Sequence, residues 1–365
     1  MIKFLDLYKQ YESLAPSIDT VINRVIRQSS FIGGEDVRIF EAAFSAYQQA
    51  SHCIGVGNGT DAIEIVLEAL KLPPRSEVIV PANTFIATSE AVTRQGQRVV
   101  FADVDSGTYT LSPADVRRRI TPSTSAILAV HLYGHPCAMD ELEGICREFG
   151  LKLIEDCAQA HGAEYKGRRL GTFGVAGTFS FYPGKNLGAY GDAGAIVTMD
   201  ESFAMTCRML ANHGRTGKYD HQFEGRNSRL DNLQAAILNV KLPHLEKWID
   251  RRNRIAGIYH SELANVEGLI LPKQSNDCRH AYHLFVIRCD ERDRLAEFLK
   301  IKNIQTGVHY PIALPKLEAY AYLGQADEPM FANRSDTTLL SLPIGDHLSD
   351  DDARVVAAAV REFFE

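Results

Sequence analysis

The sequence of 365 residues lacks three features that would each point to a different class of protein. It contains no run of 18 apolar residues, so it predicts no membrane-spanning helix. Its seven cysteines are scattered and form no C-x-x-C pair, which argues against a disulfide framework or a zinc framework. Its first residues lack the apolar core of a secretory signal. We therefore expect a cytoplasmic protein with no membrane partner, whose thiols are buried and reduced.

An excess of positive charge is also absent. Lysine and arginine total 39 against 46 aspartate and glutamate residues, which gives a formal net charge of −7. Such a chain does not attract polyanions, so nucleic acid is not an expected partner. A ligand that carries a phosphate would need a local site, built from backbone N–H groups at a helix N-terminus and a few placed cations.

Short β-rich runs alternate with helical stretches from residue 52 onward. This alternation predicts an α/β fold with a mostly parallel seven-stranded sheet flanked by helices. An amphipathic helix over residues 17–27 precedes the sheet, and a long helical stretch over residues 229–262 leads away from it. We expect a large domain over residues 1–240 and a smaller C-terminal α+β domain over residues 241–365. Ligands of such sheets bind at the carboxyl ends of the strands.

A glycine-rich turn, Gly55-Val-Gly-Asn-Gly-Thr60, lies between the first β-rich run and the next helix. A dinucleotide fingerprint would need glycine at position 60, so Thr60 argues against a nicotinamide dehydrogenase. Asn58, Gly59 and Thr60 would suit a single phosphate, since they offer free N–H groups at a helix N-terminus. A simple helix cap remains an equal alternative for this segment.

An acidic pair ends a later apolar run in the segment Ile154-Glu-Asp-Cys-Ala-Gln-Ala-His161. A carboxylate at this place can pair with a protonated heterocycle nitrogen, and Asp156 is our candidate. Gln159 and His161 would then contact other parts of the ligand. Alternatively, Asp156 caps a helix and His161 is a satisfied turn residue.

One lysine, Lys185, stands among small residues just after the β-rich run that ends at Pro183. The segment does not match a phosphate-binding G-x-x-x-x-G-K-[ST] loop, which argues against nucleotide hydrolysis. A lysine in a tight, weakly solvated turn has a lowered pKa and can act as an amine nucleophile and proton shuttle. Most lysines lie on the surface, so this interpretation depends on its neighbours.

Six motifs along the chain, among them the segment around Lys185, resemble those of a known family. The motifs NGTDA, PANTFIAT, VHLYGHP, IEDCAQAHGA, TFSFYPGKNLGAYGDAGA and GRNSRLDNLQAAIL occur in this order. Together they resemble the DegT/DnrJ/EryC1/StrS family of sugar aminotransferases over roughly residues 2–350. The resemblance implies a fold-type-I enzyme that depends on pyridoxal 5'-phosphate, and a homodimer whose active sites lie between the subunits.

The resemblance also assigns roles to residues. It implies that Lys185 carries the cofactor as a Schiff base and that Asp156 faces the pyridinium nitrogen. The further cofactor contacts that it implies are Gly59, Thr60, Phe85, Gln159 and Ser180, with Asn227 reaching the phosphate from the other subunit. The substrate contacts that it implies are His161, Tyr182, Arg229, His309 and Tyr310. No metal is expected, because Gly134 and Pro136 break the helix that ligation by His131 and His135 would need.

The implied reaction moves an amino group from L-glutamate to the keto carbon of a nucleotide-linked sugar. A dTDP-linked 3-keto-6-deoxyhexose is the expected acceptor, and its product would serve a cell-surface glycan such as lipopolysaccharide O-antigen or a secondary metabolite. A UDP-linked 3-keto uronate is an alternative acceptor, since Arg215, Lys218, Arg226 and Arg229 would meet a diphosphate or a sugar carboxylate unless they form a solvated surface loop. A 4-keto sugar nucleotide is a further alternative. A non-catalytic regulator on the same fold is an alternative of another class. A family-related dehydratase is disfavoured because similar enzymes of that kind lack the lysine.

Overall fold

A computed structural model describes residues 1–273 and 275–365 of the chain. The strands are β1 His52–Val56, β2 Glu77–Pro81, β3 Arg98–Ala102, β4 Thr124–Val130, β5 Lys152–Asp156, β6 Glu164–Tyr165, β7 Arg168–Arg169, β8 Ala176–Ser180, β9 Gly194–Thr198, β10 Cys278–Arg279, β11 Phe285–Arg288 and β12 Leu339–Leu342. The α-helices are α1 Leu7–Gln28, α2 Glu35–Gln48, α3 Gly59–Ala69, α4 Ala87–Arg94, α5 Pro113–Arg119, α6 Met139–Phe149, α7 Glu201–Ala211, α8 Asn232–Lys241, α9 Leu245–Leu263, α10 Arg292–Ile301, α11 Phe331–Ser335 and α12 Asp350–Phe364.

The large sheet has seven strands in the order β1-β9-β8-β5-β4-β2-β3. Strands β3, β2, β4, β5 and β8 pair in parallel, whereas β9 runs antiparallel to both of its neighbours, β8 and β1. The predicted α/β class and its mostly parallel seven-stranded sheet are therefore confirmed. Because these strands are parallel, the carboxyl ends of β2, β4, β5 and β8 lie at one edge of the sheet. Ligands of such sheets bind at this edge.

Alternate residues of each central strand face opposite sides of the sheet, and each side is covered by helices. Ile79 and Ile127 belong to one apolar cluster, which continues into α1, α2 and α8. Val78, Val80 and Leu128 belong to a second cluster on the other side, which α3 and α7 help to cover. Because both faces are buried, the strands form almost continuous apolar runs.

The first helix is longer than its sequence pattern indicates. It begins at Leu7, ten residues before the predicted start, because Asp6 caps it by accepting a hydrogen bond from the N–H of Lys9 at 3.2 Å. Pro16 lies inside the helix, and the hydroxyl of Thr20 donates to its carbonyl oxygen at 2.6 Å. Proline is unfavourable inside a helix, but tertiary packing of Leu14 and Ile18 outweighs that preference.

The C-terminal part has an apolar cluster of its own. Helices α9 and α12 pack together there, and β11 pairs with β12 in a two-stranded sheet. Helix α8 ends at Lys241, close to the predicted end of the large domain. Leu314 and Tyr320, however, pack into a cluster of the large sheet, so the boundary at residue 240 stays a prediction.

None of the helices in the described ranges is both long and apolar enough to cross a membrane. All seven cysteines are free thiols, and six of them are buried, as expected. Cys278 is the exception, since it is only half-buried on β10.

Candidate active site

A cavity of about 850 Å³ opens at the carboxyl ends of the parallel strands. Its wall includes residues at or just after the ends of β1, β2, β4, β5 and β8. Ten of the residues singled out in the sequence line it: Gly59, Thr60, Phe85, Asp156, Gln159, Ser180, Tyr182, Lys185, His309 and Tyr310. The sheet therefore brings together side chains that are far apart along the chain.

Lys185 lies in a tight turn five residues after the end of β8. Its backbone N–H donates to the carbonyl oxygen of Tyr182 at 2.8 Å, and the N–H of Ala189 donates to the carbonyl oxygen of Phe181 at 2.8 Å. Burial lowers the pKa of Lys185 to about 8, although the charge of Asp156 opposes the shift. The unprotonated amine, which a nucleophile and general base requires, is therefore more accessible near neutral pH than in an ordinary lysine.

Asp156 is the last residue of β5 and is buried beside the same cavity. Its Oδ1 accepts a hydrogen bond from the N–H of Ala158 at 3.0 Å, and its Oδ2 accepts one from the hydroxyl of Thr88 at 2.9 Å. Burial raises the pKa of Asp156, while these two bonds and the charge of Lys185 lower it. The carboxylate is thus held in one orientation by fixed donors, and it does not cap a helix.

The N-terminus of α3 forms a cup against the end of β8. Asn58 caps the helix by accepting from the N–H of Asp61 at 2.8 Å, and no acceptor for the N–H groups of Gly59 and Thr60 is found in the described ranges. A Cβ at position 59 would come within 2.7 Å of the Cβ of Ser180, so only glycine allows this close approach. Free N–H groups at a helix N-terminus, beside two hydroxyl side chains, suit a phosphate.

One wall of the cavity is built from an aromatic pair and an amide. The ring of Phe85 is exposed and lies 5.8 Å from the ring of Tyr310. The amide of Gln159 donates to the hydroxyl of Tyr310 at 3.1 Å and accepts from the backbone N–H of Tyr133 at 2.7 Å. Gln159 is therefore fixed by neighbours on both sides.

His161 requires a correction. The sequence predicted a substrate contact, but its side chain is 0 % exposed and does not lie on the cavity wall. Its ring lies against Phe179 and Phe181, and both ring nitrogens are buried. Burial lowers the pKa of His161 to about 3, so the ring is neutral. Because the apolar cluster encloses it, direct contact with a substrate is not supported.

Three further residues lie outside the cavity of a single chain. Asn227 is exposed and pairs with Asn212 through an isolated β-bridge, while Arg229 donates from Nη1 to the side chain of Asn212 at 3.3 Å. Arg226 forms ion pairs with Glu64 and another glutamate of α3, so its charge is used within the chain. None of these three residues lines the cavity, so one chain alone does not test their predicted roles.

One buried cluster has the side chains of a metal site: His131, Glu155 and Cys157 place ligand atoms within 4.8 Å of one another. Both oxygens of Glu155 already accept hydrogen bonds, and the two ring nitrogens of His131 contact Glu155 and the N–H of Cys137. Hydrogen bonds therefore account for the group, and we assign no metal to it. His135 faces elsewhere, towards the carbonyl oxygen of Pro136.

Sequence patterns missed several residues of the site. Thr88 ends the PANTFIAT motif, but nothing in the motif shows that it meets Asp156. Phe4, His283 and Arg252 also line the cavity, and they come from the N-terminal segment and from the C-terminal part of the chain. No local signal marks them, because only tertiary structure brings these segments to the sheet.

The comparisons with known proteins agree with this geometry. The model of the DegT/DnrJ/EryC1/StrS aminotransferase family matches residues 13–361. The erythromycin biosynthesis sensory transduction protein EryC1 of Saccharopolyspora erythraea is 46% identical over 99% of both chains. The dTDP-3-amino-3,4,6-trideoxy-alpha-D-glucose transaminase of Streptomyces venezuelae is 43% identical over 100% of this chain and 96% of that protein. The crystal structure of S. venezuelae DesV with a ketimine intermediate, 43% identical, superposes with a TM-score of 0.97 over 100% of this chain and 98% of that one.

The fold and the site thus define an aminotransferase of the fold-type-I class. More specifically, the chain belongs to the DegT/DnrJ/EryC1/StrS aminotransferase family, and the predicted membership is confirmed. Pyridoxal phosphate is the cofactor of aminotransferases in this family. The cavity fits this group: the cup at Gly59 has free N–H donors, Asp156 is a buried carboxylate, and Lys185 is an amine of lowered pKa.

Proposed function

We propose that this protein moves an amino group from L-glutamate to the C3 keto carbon of a dTDP-linked 6-deoxyhexose. The observation that carries the proposal is the shared cavity of Lys185 and Asp156, with a phosphate cup on the same wall. The acceptor is inferred from the name of the Streptomyces venezuelae relative, which is a dTDP-3-amino-sugar transaminase. The product would be a building block for a cell-surface glycan, such as O-antigen, or for a secondary metabolite.

In this proposal the cofactor contacts are residues of the cavity wall. The backbone of Gly59 and the backbone and hydroxyl of Thr60 would bind the phosphate together with the hydroxyl of Ser180, and the ring of Phe85 would cover one face of the pyridine ring. Gln159 would contact the ring hydroxyl. Tyr182, His309 and Tyr310 would contact substrate, since all three lie on the cavity wall.

When bound, pyridoxal phosphate supplies an electron sink for the electron pair that proton removal leaves on a substrate carbon. Asp156 would hold a proton on the pyridine nitrogen, because its carboxylate is fixed by Thr88 and Ala158. Lys185 would take a proton from the donor carbon that bears the amino group and deliver it to the carbon on the other side of that nitrogen. A positioned general base of this kind contributes about 10²–10⁴-fold in rate. The same groups act in the donor and the acceptor half-reactions.

The proposal includes a homodimer with shared active sites. Asn227 and Arg229 do not line the cavity of their own chain, and Asn227 is exposed. An exposed residue of this kind is free to reach the phosphate site of a second copy. Seven free thiols further support a reducing, cytoplasmic compartment.

A uronate acceptor is less well supported than a deoxyhexose. Arg226, one of the cations considered for a sugar carboxylate, is paired with Glu64 and Glu68 and does not line the cavity. Phe4, Leu5 and Phe85 make part of the cavity wall apolar, which suits a methyl group at C6.

The first test is the visible spectrum of wild type, Lys185→Ala and the control Lys166→Ala after loading with pyridoxal phosphate. Lys166 is exposed, pairs with Asp140 and does not line the cavity, so its loss should change nothing. We expect a band of lysine-linked cofactor in wild type and control that shifts when glutamate is added, and no such band in Lys185→Ala. Borohydride reduction followed by mass spectrometry should locate the cofactor on residue 185.

The second test supplies the amino form of the enzyme with dTDP-linked and UDP-linked 3-keto sugars and identifies the products by mass spectrometry. The proposed acceptor predicts amination of the dTDP-3-keto-6-deoxyhexose at least tenfold faster than of the uronate. A protein that binds no cofactor at Lys185 would instead be a non-catalytic member of the family.

A further inference from the structure

Residues 2–5 precede α1 and are bonded to the C-terminal part of the chain. The N–H of Ile2 donates to the carbonyl oxygen of Asn303 at 2.8 Å, and the carbonyl oxygen of Ile2 accepts from the N–H of Gln305 at 3.0 Å. The N–H of Phe4 donates to the side chain of Gln305 at 3.1 Å. These bonds fix the segment, and Phe4 lines the cavity that Lys185 also lines.

The ring of His309 is fixed in two independent ways. The ring of Phe4 is stacked beside it, with ring centroids 5.7 Å apart and planes at 18°, which sets the plane of the imidazole. Its Nδ1 lies 2.9 Å from the hydroxyl of Ser341, a buried residue of β12. A hydrogen bond to one ring nitrogen sets the rotation of the ring within that plane. The two contacts together therefore define one orientation of the side chain.

Gly307 leaves room for both rings. A Cβ at this position would come within 2.8 Å of Cε1 of His309 and within 3.1 Å of Cζ of Phe4. The backbone of Gly307 also exchanges two hydrogen bonds with that of Ser341, at 3.1 and 2.8 Å. The backbone under the two rings is thus tied to the strand that supplies the hydroxyl.

The second ring nitrogen of His309 remains for a ligand. His309 lines the cavity, and within residues 1–273 and 275–365 its Nε2 has no hydrogen-bond partner and is not buried. Burial lowers the pKa of His309 to about 4, so the ring is neutral at neutral pH. A neutral imidazole forms hydrogen bonds with hydroxyl groups and adds no charge. This property suits a sugar better than the carboxylates of an amino donor.

We propose that Phe4 and Ser341 are positioning residues that aim Nε2 of His309 at a hydroxyl of the acceptor sugar. The inference rests on the proposed function, which places His309 in contact with substrate. Both residues act through the histidine, so their loss affects the acceptor half-reaction and leaves the donor half-reaction with glutamate unchanged.

The test compares Phe4→Leu and Ser341→Ala with matched controls. Leucine keeps the cavity wall apolar but removes the flat ring, and Phe4→Tyr keeps the ring. The controls are Tyr8→Leu and Ser89→Ala: Tyr8 is an exposed aromatic residue near the start of α1, and Ser89 is a buried serine whose hydroxyl is bonded to another side chain. Neither control residue lines the cavity.

Each variant is first checked for its melting temperature and for the absorbance of the lysine-linked cofactor. Stopped-flow absorbance then measures the acceptor half-reaction in reverse, with a dTDP-linked 3-amino-3,6-dideoxyhexose added to the cofactor-loaded protein. The donor half-reaction is measured in the same way with glutamate. Both single changes are repeated in a His309→Ala background, which completes two double-mutant cycles.

We expect Phe4→Leu and Ser341→Ala each to raise the half-saturating concentration of the aminated sugar by about twofold to tenfold, the usual value of an aromatic pair or of one hydrogen bond. Phe4→Tyr and both controls should behave as wild type, and the dependence on glutamate should stay unchanged. In the His309→Ala background the same two changes should have no further effect, because the group that they position is gone.

Equal effects with and without His309 would overturn the inference, because Phe4 and Ser341 would then act independently of the histidine. An equal loss in the glutamate half-reaction would overturn it as well. If Phe4→Leu does not fold or load cofactor, the cycle with Ser341→Ala decides. A wild type that reacts with an aminated UDP-sugar instead would reject the dTDP-linked acceptor of the proposed function, and the same cycles with that sugar would still decide the role of the two residues.

Discussion

The hydroxyl of Thr88 donates a hydrogen bond to Oδ2 of Asp156 over 2.9 Å, inside the buried end of the sheet. The two residues are 68 positions apart, on segments that follow β2 and end β5. Strand β4 lies between these two strands in the sheet. The bond therefore crosses the edge of the sheet, and it favours the charged form of a carboxylate whose pKa is raised by burial.

Replacing Thr88 with valine should shift the acid side of the pH profile of activity to higher pH. The bond from Thr88 lowers the pKa of Asp156, so its loss raises that pKa, and the carboxylate is protonated earlier as the pH falls. Valine keeps the shape of threonine, and the expected loss of activity at neutral pH is about tenfold. Steady-state rates between pH 5 and 9 check this. Thr93→Val, which removes an ordinary helix-surface hydroxyl bonded to the carbonyl of Glu90, is the control.

Replacing Glu155 with glutamine should destabilise the fold by about 2–4 kcal/mol. Its Oε1 accepts from the N–H groups of Phe173 and Gly174 at 2.7 and 2.8 Å, and its Oε2 accepts from the N–H of Gly171 at 2.7 Å and contacts His131 at 3.1 Å. An amide would turn its NH₂ group towards one pair of these donors. Urea denaturation of the cofactor-free protein measures the effect.

Glu148→Gln provides the control for this measurement, because Glu148 is an exposed residue paired with Arg117. It should change the free energy of unfolding by less than about 1 kcal/mol. Equal stability of the two variants would mean that the bonds to Glu155 do not hold the segment 171–174.

Replacing the buried Lys241 with methionine should change how stability depends on pH. Its ammonium donates to the carbonyl oxygen of Gly188 at 2.7 Å and lies 4.2 Å from the ring centre of Tyr190. Burial lowers its pKa from 10.5 to about 8. Between these two values the unfolded chain holds a proton that the folded chain has lost, so the stability of wild type rises with pH in this window.

The methionine variant lacks this contribution. The free energy of unfolding of wild type minus that of Lys241→Met should therefore increase by about 1–2 kcal/mol from pH 7.5 to 9.5. Urea denaturation at both pH values checks it, with the exposed Lys247 replaced by methionine as the control. A difference that stays constant with pH would show that Lys241 does not lose its proton in the folded state in this range.

Mixed dimers test the shared active site. Asn227→Ala and Lys185→Ala should each inactivate the homodimer, by about tenfold or more for the loss of a phosphate contact and by about 10²–10⁴-fold for the loss of the base. In a mixed dimer one site carries both changes and the other carries neither, so refolding equal amounts together should restore activity. Because only one of its two sites is intact, a mixed dimer should reach at most half of the activity of a wild-type dimer.

If mixing restores no activity, both residues act within one chain, and the proposed role of Asn227 is wrong. A mixture of wild type with the double variant Lys185→Ala/Asn227→Ala serves as the reference, because a mixed dimer then has no intact site and the loss of activity reports how often the subunits exchange.

The sequence by itself predicted the alternation of strands and helices, because apolar runs end where strands end. Its local patterns made Lys185 and Asp156 candidates, since they stand at or just beyond such ends, and the family resemblance gave them their expected roles. The family motifs also lie in these segments, since they contain the residues that line the cavity. The limits of α1 were less predictable, because packing of Leu14 and Ile18 outweighs the preference of Pro16.

Only the tertiary structure decided which distant side chains meet at this centre. It joined Thr88 to Asp156, buried His161 away from the cavity wall, and brought Arg252 from α9 to the cavity that Lys185 also lines. These relationships depend on the order of strands in the sheet and on the packing of the C-terminal part against it. The physical reason is that a local pattern records which face of an element is buried, but not which element buries it.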